Sequence, residues 1–328
     1  MQKRGNQRWW IWLFWIPAIF LIWLVFKQVP LNQVWKILSR LSAWQIILLI
    51  CVNLGLLWAF SRRWWLILQH LCCQISWSQL SAYRLASFGI SYFTPGPQFG
   101  GEPVQVLLLT RRHKIPLSTA LSSVFTDRLI ELLANFTFLA IGIATILTYG
   151  HQVSGLDMGN LLIPAGLLVF PILHLVLLWL GITPASLLVG RIQRLLPHKL
   201  FQQIYLLILR SEQEISTLCR NKPGVVIRSI WISGIVWVMM IGEYWLTLWF
   251  SGGNFNLAQV VSALTAARLA YLLPVPAGLG TLETSQVLAM QALGADPAIG
   301  LAASLLIRAR DISLGLLGLW LGSRAFHT

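Results

Sequence analysis

Apolar positions dominate this chain, and polar ones break it at two places in the same way. Continuous spans, apolar overall and free of proline and glycine clusters, occupy residues 9–26, 44–60, 117–148, 161–181, 231–250 and 298–321. At about 1.5 Å per residue, each is long enough to cross roughly 30 Å of hydrocarbon as a helix. Two further apolar stretches, 80–109 and 257–293, are cut in the middle by proline and glycine clusters, so each reads as two half-helices meeting at a bend. The first cut is Pro95-Gly96-Pro97-Gln98-Phe99-Gly100-Gly101-Glu102; the second is Pro274-Val275-Pro276-Ala277-Gly278-Leu279-Gly280-Thr281-Leu282-Glu283. An offset of 181 carries Glu102 onto Glu283 and Pro116 onto Pro297, and an offset of 180 carries Arg128 onto Arg308 and Glu131 onto Asp311.

This pattern predicts an all-α polytopic membrane protein with six full spans and two re-entrant broken-helix hairpins, arranged as an inverted repeat. Residues 1–328 form one integral membrane domain, with the first repeat at 44–148 and the second, inverted one at 229–321. The run at 9–26 follows Lys3, Arg4 and Arg8 but exceeds a signal-peptide core and has no small-x-small cleavage site, so it reads as an uncleaved helix.

Composition agrees: 57% of the 328 residues are hydrophobic and 10% charged, with a mean hydropathy of +0.72. The net charge of +14 would point to nucleic acid in a soluble protein, but its distribution points to a membrane. If both hairpins turn back, loops on the side of the N-terminus hold 17 of the 24 Lys and Arg, against 3 (Lys27, Lys36, Arg40) on the other side. The positive-inside rule then puts both termini in the cytoplasm of a cell inner membrane, with no nucleic-acid partner. Residues 182–228 alternate Ile192, Leu195, Leu196, Leu200, Phe201, Ile204, Leu207 and Ile208 with Arg191, Arg194, Lys199 and Arg210, which predicts a cytoplasmic amphipathic helix. The 17 tryptophans, Trp9-Trp10 and Trp64-Trp65 among them, read as interfacial anchors. Cys51, Cys72, Cys73 and Cys219 show no metal spacing and read as thiols, so no metal and no cofactor is expected.

Charges inside the apolar spans carry the chemistry. Glu102, Asp127, Arg128, Glu131, Glu243, Arg268, Glu283, Arg308, Arg310 and Asp311 would each cost roughly 2.5–3.5 kcal/mol at the bilayer centre if unpaired. They must pair or face water. Arg128 with Glu131, and Arg308 with Asp311, stand at i,i+3 on one helix face and serve either as structural pairs or as ligand contacts. Glu102 and Glu283 fall in the first turn of a half-helix, after bends shaped by Pro97, Gly100 and Gly101 in one copy and Pro276, Gly278 and Gly280 in the other. There each glutamate can cap the helix, hold an arginine, or carry a proton. A half-helix N-terminus beside arginines is suited to an anion such as a phosphate head group.

These residues resemble the membrane domain of the lysyl-phosphatidylglycerol synthases and its free-standing relatives. The likeness rests on the stretch 97–102, the Asp127-Arg128 pair, the stretch Leu273-Pro274-Val275-Pro276-Ala277-Gly278-Leu279-Gly280-Thr281-Leu282-Glu283, and Arg308. It covers nearly the whole chain. Where the family usually has an arginine before the first Gly-Glu, this chain has Gln98 or Phe99, and Ala277 stands where glycine is common.

The resemblance implies a lipid flippase that moves a phosphate-containing lipid, a phospholipid or a polyprenyl-phosphate lipid, across the cytoplasmic membrane. Arg128, Arg308, Arg310 and Arg268 would hold the phosphate, Glu102 and Glu283 would order the arginines or couple protons, and the tails would stay in the bilayer. The chain stops after the last span, so the aminoacyl-transfer domain is not expected. With no Gly-x-x-x-x-Gly-Lys-Ser/Thr, energy would come from a gradient or from the lipid imbalance. Two other readings stay open: a small-anion secondary transporter, and an intramembrane transferase acting on a lipid phosphate. The acidic pairs available to a transferase, Asp127 with Glu131 and Glu212 with Glu214, read as salt-bridged and as solvent-exposed respectively.

Overall fold

The computed structural model describes residues 31–72, 74–94, 100–149, 162–195, 198–273, 275 and 278–327. Among them are twelve helices and no strand. In order they are α1 (Leu31–Leu38), α2 (Ala43–Leu71), α3 (Trp77–Phe93), α4 (Glu102–His113), α5 (Leu117–Tyr149), α6 (Leu162–Trp179), α7 (Pro184–Leu195), α8 (Lys199–Asn221), α9 (Pro223–Phe250), α10 (Leu257–Tyr271), α11 (Thr281–Ala292) and α12 (Pro297–His327). The expected span at 9–26, with Trp9, Trp10, Cys73, Pro97 and Pro276, lies outside the described residues.

Local sequence sets the boundaries. Asn256 and Gln259 cap α10 reciprocally, each side chain accepting the other's backbone N–H at 3.0 and 2.9 Å. Prolines open α9 and α12, where the missing N–H would have no helical partner anyway. The two cut stretches are broken helices, as expected: α3 and α4 are parted at residues 94–101, and α10 and α11 at 272–280.

An order of long helix, two short helices, long helix occurs twice. α2 to α5 run 29, 17, 12 and 33 residues, and α9 to α12 run 28, 15, 12 and 31. The two groups interlock: α2 packs on α9, α3 on α12, and α10 on α5. Glycines let the backbones meet. Gly318 and Gly322, one turn apart on α12, lie against Leu85 and Ala86 of α3, and Gly142 of α5 lies against Thr265 of α10.

Among the described residues three helices, α2, α5 and α9, are long and apolar enough to cross a membrane, and they contain the expected spans at 44–60, 117–148 and 231–250. A fourth is added if α6 and α7, bent by 92°, count together. The stretch 298–321 lies within α12, which has the length but carries Arg308, Arg310 and Asp311 midway.

The segment expected as one amphipathic helix is divided into α7 and α8, which pack on each other, with α9 beginning at Pro223. Glu212, read from sequence as exposed, is buried: it accepts hydrogen bonds from the Ala185 and Ser186 amides at 2.8 and 2.7 Å and so caps α7. Glu214 takes the hydroxyls of Ser118, Thr119 and Ser122. These contacts tie α8 to α5 and to α7. Trp64 is likewise buried, not an interfacial anchor. Cys51 and Cys219 are free thiols, whereas Cys72 is in a disulfide, contrary to the expectation of four thiols.

Candidate functional site

Two ion-pair networks face each other across the interlocked helices. In the first, Arg63 of α2 reaches Asp127 of α5 through Nε (2.6 Å) and Nη2 (3.1 Å), Glu131 through Nη2 (3.0 Å), and Ser233 of α9 through Nη1 (2.9 Å). Arg84 of α3 binds the same two carboxylates at 2.8 and 3.1 Å. Arg128 donates to Glu131 at 2.9 Å, the expected i,i+3 pair, and stands 3.3 Å from Glu102.

In the second network Arg308 of α12 is held by both oxygens of Glu283, through Nε and through Nη2 at 2.9 Å. Its Nη2 also donates to the Gly278 carbonyl at 2.7 Å, and its Nη1 to Tyr92 Oη at 3.4 Å. The expected Arg308–Asp311 pair is replaced: Asp311 takes Arg310 (2.8 Å) and the Tyr271 hydroxyl (3.3 Å), and Arg310 also binds Glu243. The copies differ because Asp127, which helps hold the first network, has Ile307 as its counterpart, while Arg310 has Ile130 as its own.

Both hairpin glutamates cap a half-helix and hold an arginine. Glu102 accepts the Gly100 amide at 3.0 Å and Glu283 the Gly280 amide at 2.9 Å. Gly100, Gly278 and Gly280 have φ of 146°, 62° and 78°, conformations that side chains rarely adopt, so these bends require glycine. Gly101 is held by space instead, since a side chain there would strike the Ser87 carbonyl.

Arg63 and Arg84 were counted from sequence as loop residues; both are inside the helical body, and Arg63 is 1% exposed. Removing them leaves 15 basic residues against 3, so the charge asymmetry survives. A signal for them was present. The ten charges first identified comprise six carboxylates and four arginines, a surplus that two more arginines cancel.

Arg268 of α10 differs from the other five. Among the described residues it forms no ion pair; its guanidinium lies 5.1 Å from the Trp237 ring centre and 3.6 Å from Met240 Sδ. Three cavities surround these groups. One of about 120 Å³ holds Glu102, Asp127, Arg128 and Glu131, and one of about 160 Å³ joins Arg128 and Glu131 to Arg268. The third, of about 250 Å³, joins Glu131 and Arg268 to Glu243, Arg310 and Asp311. Glu131 lines all three, and Arg268 stands where the last two meet.

The family model described as the lysylphosphatidylglycerol synthase TM region matches residues 10–318. The chain is similar to a UPF0104 membrane protein of Methanothermobacter thermautotrophicus, 20% identical over 276 residues covering 80% of each chain. It is also similar to a UPF0104 membrane protein of Methanocaldococcus jannaschii, 23% identical over 310 residues covering 89% of this chain and 88% of that one. No solved structure matches.

Proposed function

This chain belongs to the lysylphosphatidylglycerol synthase TM-region family, and on that premise we propose that it is a lipid translocase and not an enzyme, moving a phosphate-bearing lipid across the cytoplasmic membrane. The observation that carries the reading is Arg268. Arg63, Arg84, Arg128, Arg308 and Arg310 already have carboxylates in contact, so an arriving phosphate would have to displace an ion pair to reach them. Arg268 faces the joined cavities with an aromatic face and a thioether beside it, and a phosphate reaches it without displacing an ion pair.

The hairpins then act as an inverted pair. Contacts that return on themselves support this: an offset of 180 carries Gly142 onto Gly322 and Thr265, which Gly142 meets, onto Leu85, the neighbour of the Ala86 that Gly322 meets. Glu102 and Glu283 position Arg128 and Arg308 at the hairpin bends, and both termini lie in the cytoplasm.

Purified protein in liposomes containing fluorescent phosphatidylglycerol or polyprenyl phosphate tests this by the rate at which dithionite reaches label from the inner leaflet. Wild type is expected to exceed empty liposomes and Arg268→Ala to fall to their level, with Arg268→Lys between. Equal rates for wild type and Arg268→Ala would overturn the assignment.

A further inference from the structure

A groove of about 880 Å³ runs between α10 and α11, closed on one side by Ile146 of α5. Its walls are small: Ala258, Ser262 and Ala266 recur every four residues on α10, opposite Ala289 and Ala292 of α11. Such residues usually let helices close on one another. Here α10 and α11 do touch, Gln286 Nε2 donating to the Ala263 carbonyl at 3.2 Å, and the groove runs alongside that contact with Ala263 in its wall. Thr284 Oγ1, in the groove wall, is buried with no hydrogen-bond partner among the described residues.

The groove ends at the arginine network. Leu269, Ala270 and Leu273 face the groove, while Arg268 and Tyr271, on the same turn of α10, face the polar cavities. Thr281, also in the groove wall, donates its hydroxyl to the Gly278 carbonyl at 3.0 Å, the carbonyl that receives Arg308. The partition between an apolar channel and the chamber of charged side chains is thus one helix thick. Along α10 the groove extends about 22 Å, the rise of fifteen helical residues.

We infer that this groove holds the hydrocarbon chain of the lipid whose phosphate meets Arg268, in place of a tail left free in the bilayer. The inference rests on the head-group reading above. A chain is as well solvated in the bilayer as in the groove, so the groove adds alignment more than affinity: a tail lying along α10 brings its head group to the turn that carries Arg268.

The test uses proteoliposomes carrying phosphatidylglycerol, polyprenyl phosphate or phosphatidylcholine with a photoactivatable group in the chain, and maps cross-links by mass spectrometry. The transported lipid is expected to label Leu269, Leu273 and Leu288 at least fivefold more than phosphatidylcholine does. Ala266→Trp, and independently Ser262→Trp, are expected to lower labelling and translocation at least tenfold. Binding of short-chain dihexanoyl phosphatidylglycerol, which needs the head-group site alone, should be unchanged in both variants and lost in Arg268→Ala. Equal labelling by phosphatidylcholine would reveal ordinary boundary lipid, and full translocation by folded groove-filled variants would show the groove to be idle; either overturns the inference while short-chain binding stands. Short-chain binding that survives Arg268→Ala overturns the head-group reading instead.

Discussion

Asn53 of α2 donates its amide to Glu243 of α9 at 2.9 Å, and about three turns further along α2 Arg63 donates to Ser233 of α9 at the same distance. An offset of 180 carries Asn53 onto Ser233 and Arg63 onto Glu243. Two helices therefore meet through equivalent positions, each contact being the other reversed, as at the interface of a two-fold dimer.

The Arg63 contact should be the costlier one to break. Arg63→Met leaves buried Asp127 and half-buried Glu131 with fewer cations, and such a loss destabilises by about 3–5 kcal/mol. Arg63→Met combined with Asp127→Leu removes charge from both sides and should recover part of that. Denaturant unfolding in detergent measures both; a double variant no more stable than the single one would contradict the pairing.

The two hairpin locks are unequal. Glu283 and Arg308 are each 9% exposed and joined through two contacts, whereas Glu102 and Arg128 are 27% and 24% exposed and joined at one point of 3.3 Å. Double-mutant cycles should give a coupling of about 2–4 kcal/mol for Glu283–Arg308 and below about 1 kcal/mol for Glu102–Arg128. Equal couplings would mean that both bends are fastened alike.

How much of this was legible followed from what each signal measures. Proline and glycine clusters report the backbone directly, so both broken helices stood where the sequence placed them. Charges report only themselves. Glu283 paired with Arg308 on another helix, and not within the i,i+3 set, because contacts across a bend leave no periodicity in the chain. Arg63 and Arg84 were hidden by position near the ends of apolar runs, where basic residues ordinarily mark a loop. Glu212 and Glu214 of α8 were read as exposed because their partners, amides and hydroxyls of neighbouring helices, leave no mark in the local pattern.

Cysteine chemistry checks that packing. Burial of Cys219 on α8 pushes its thiol up to about 11, so at pH 7.5 it holds far less thiolate than an ordinary cysteine. Maleimide should leave Cys219 unmodified for hours in the folded protein and label it within minutes after denaturation. Prompt labelling of native protein would mean that α8 lies open on the surface.

Glycine packing between α3 and α12 offers a separate test of the interlock. A side chain at Gly318 meets the Leu85 backbone, which cannot rotate aside, so Gly318→Ala should cost about 1–3 kcal/mol. Gly224, whose added side chain would meet open space, is the control, and Gly224→Ala should be near neutral or slightly stabilising. The comparison is read from thermal unfolding of both variants in one detergent. Similar shifts would remove the argument for close approach.

Charge balance separates the role of Arg268 in binding from any role in folding. Six arginines (Arg63, Arg84, Arg128, Arg268, Arg308, Arg310) face six carboxylates (Glu102, Asp127, Glu131, Glu243, Glu283, Asp311), so Arg268→Gln leaves one carboxylate in surplus. The surplus falls in the second network, where Glu243, Glu283 and Asp311 face only Arg308 and Arg310. Arg268→Gln should therefore lower stability modestly, by about 1 kcal/mol, since Arg268 touches none of those carboxylates and acts on them through space. Adding Glu243→Gln restores neutrality and should restore stability. Translocation should stay at background in the double variant, because neutrality does not replace a cation for the phosphate. Recovery of transport together with stability would show that Arg268 balances charge and does not bind the head group.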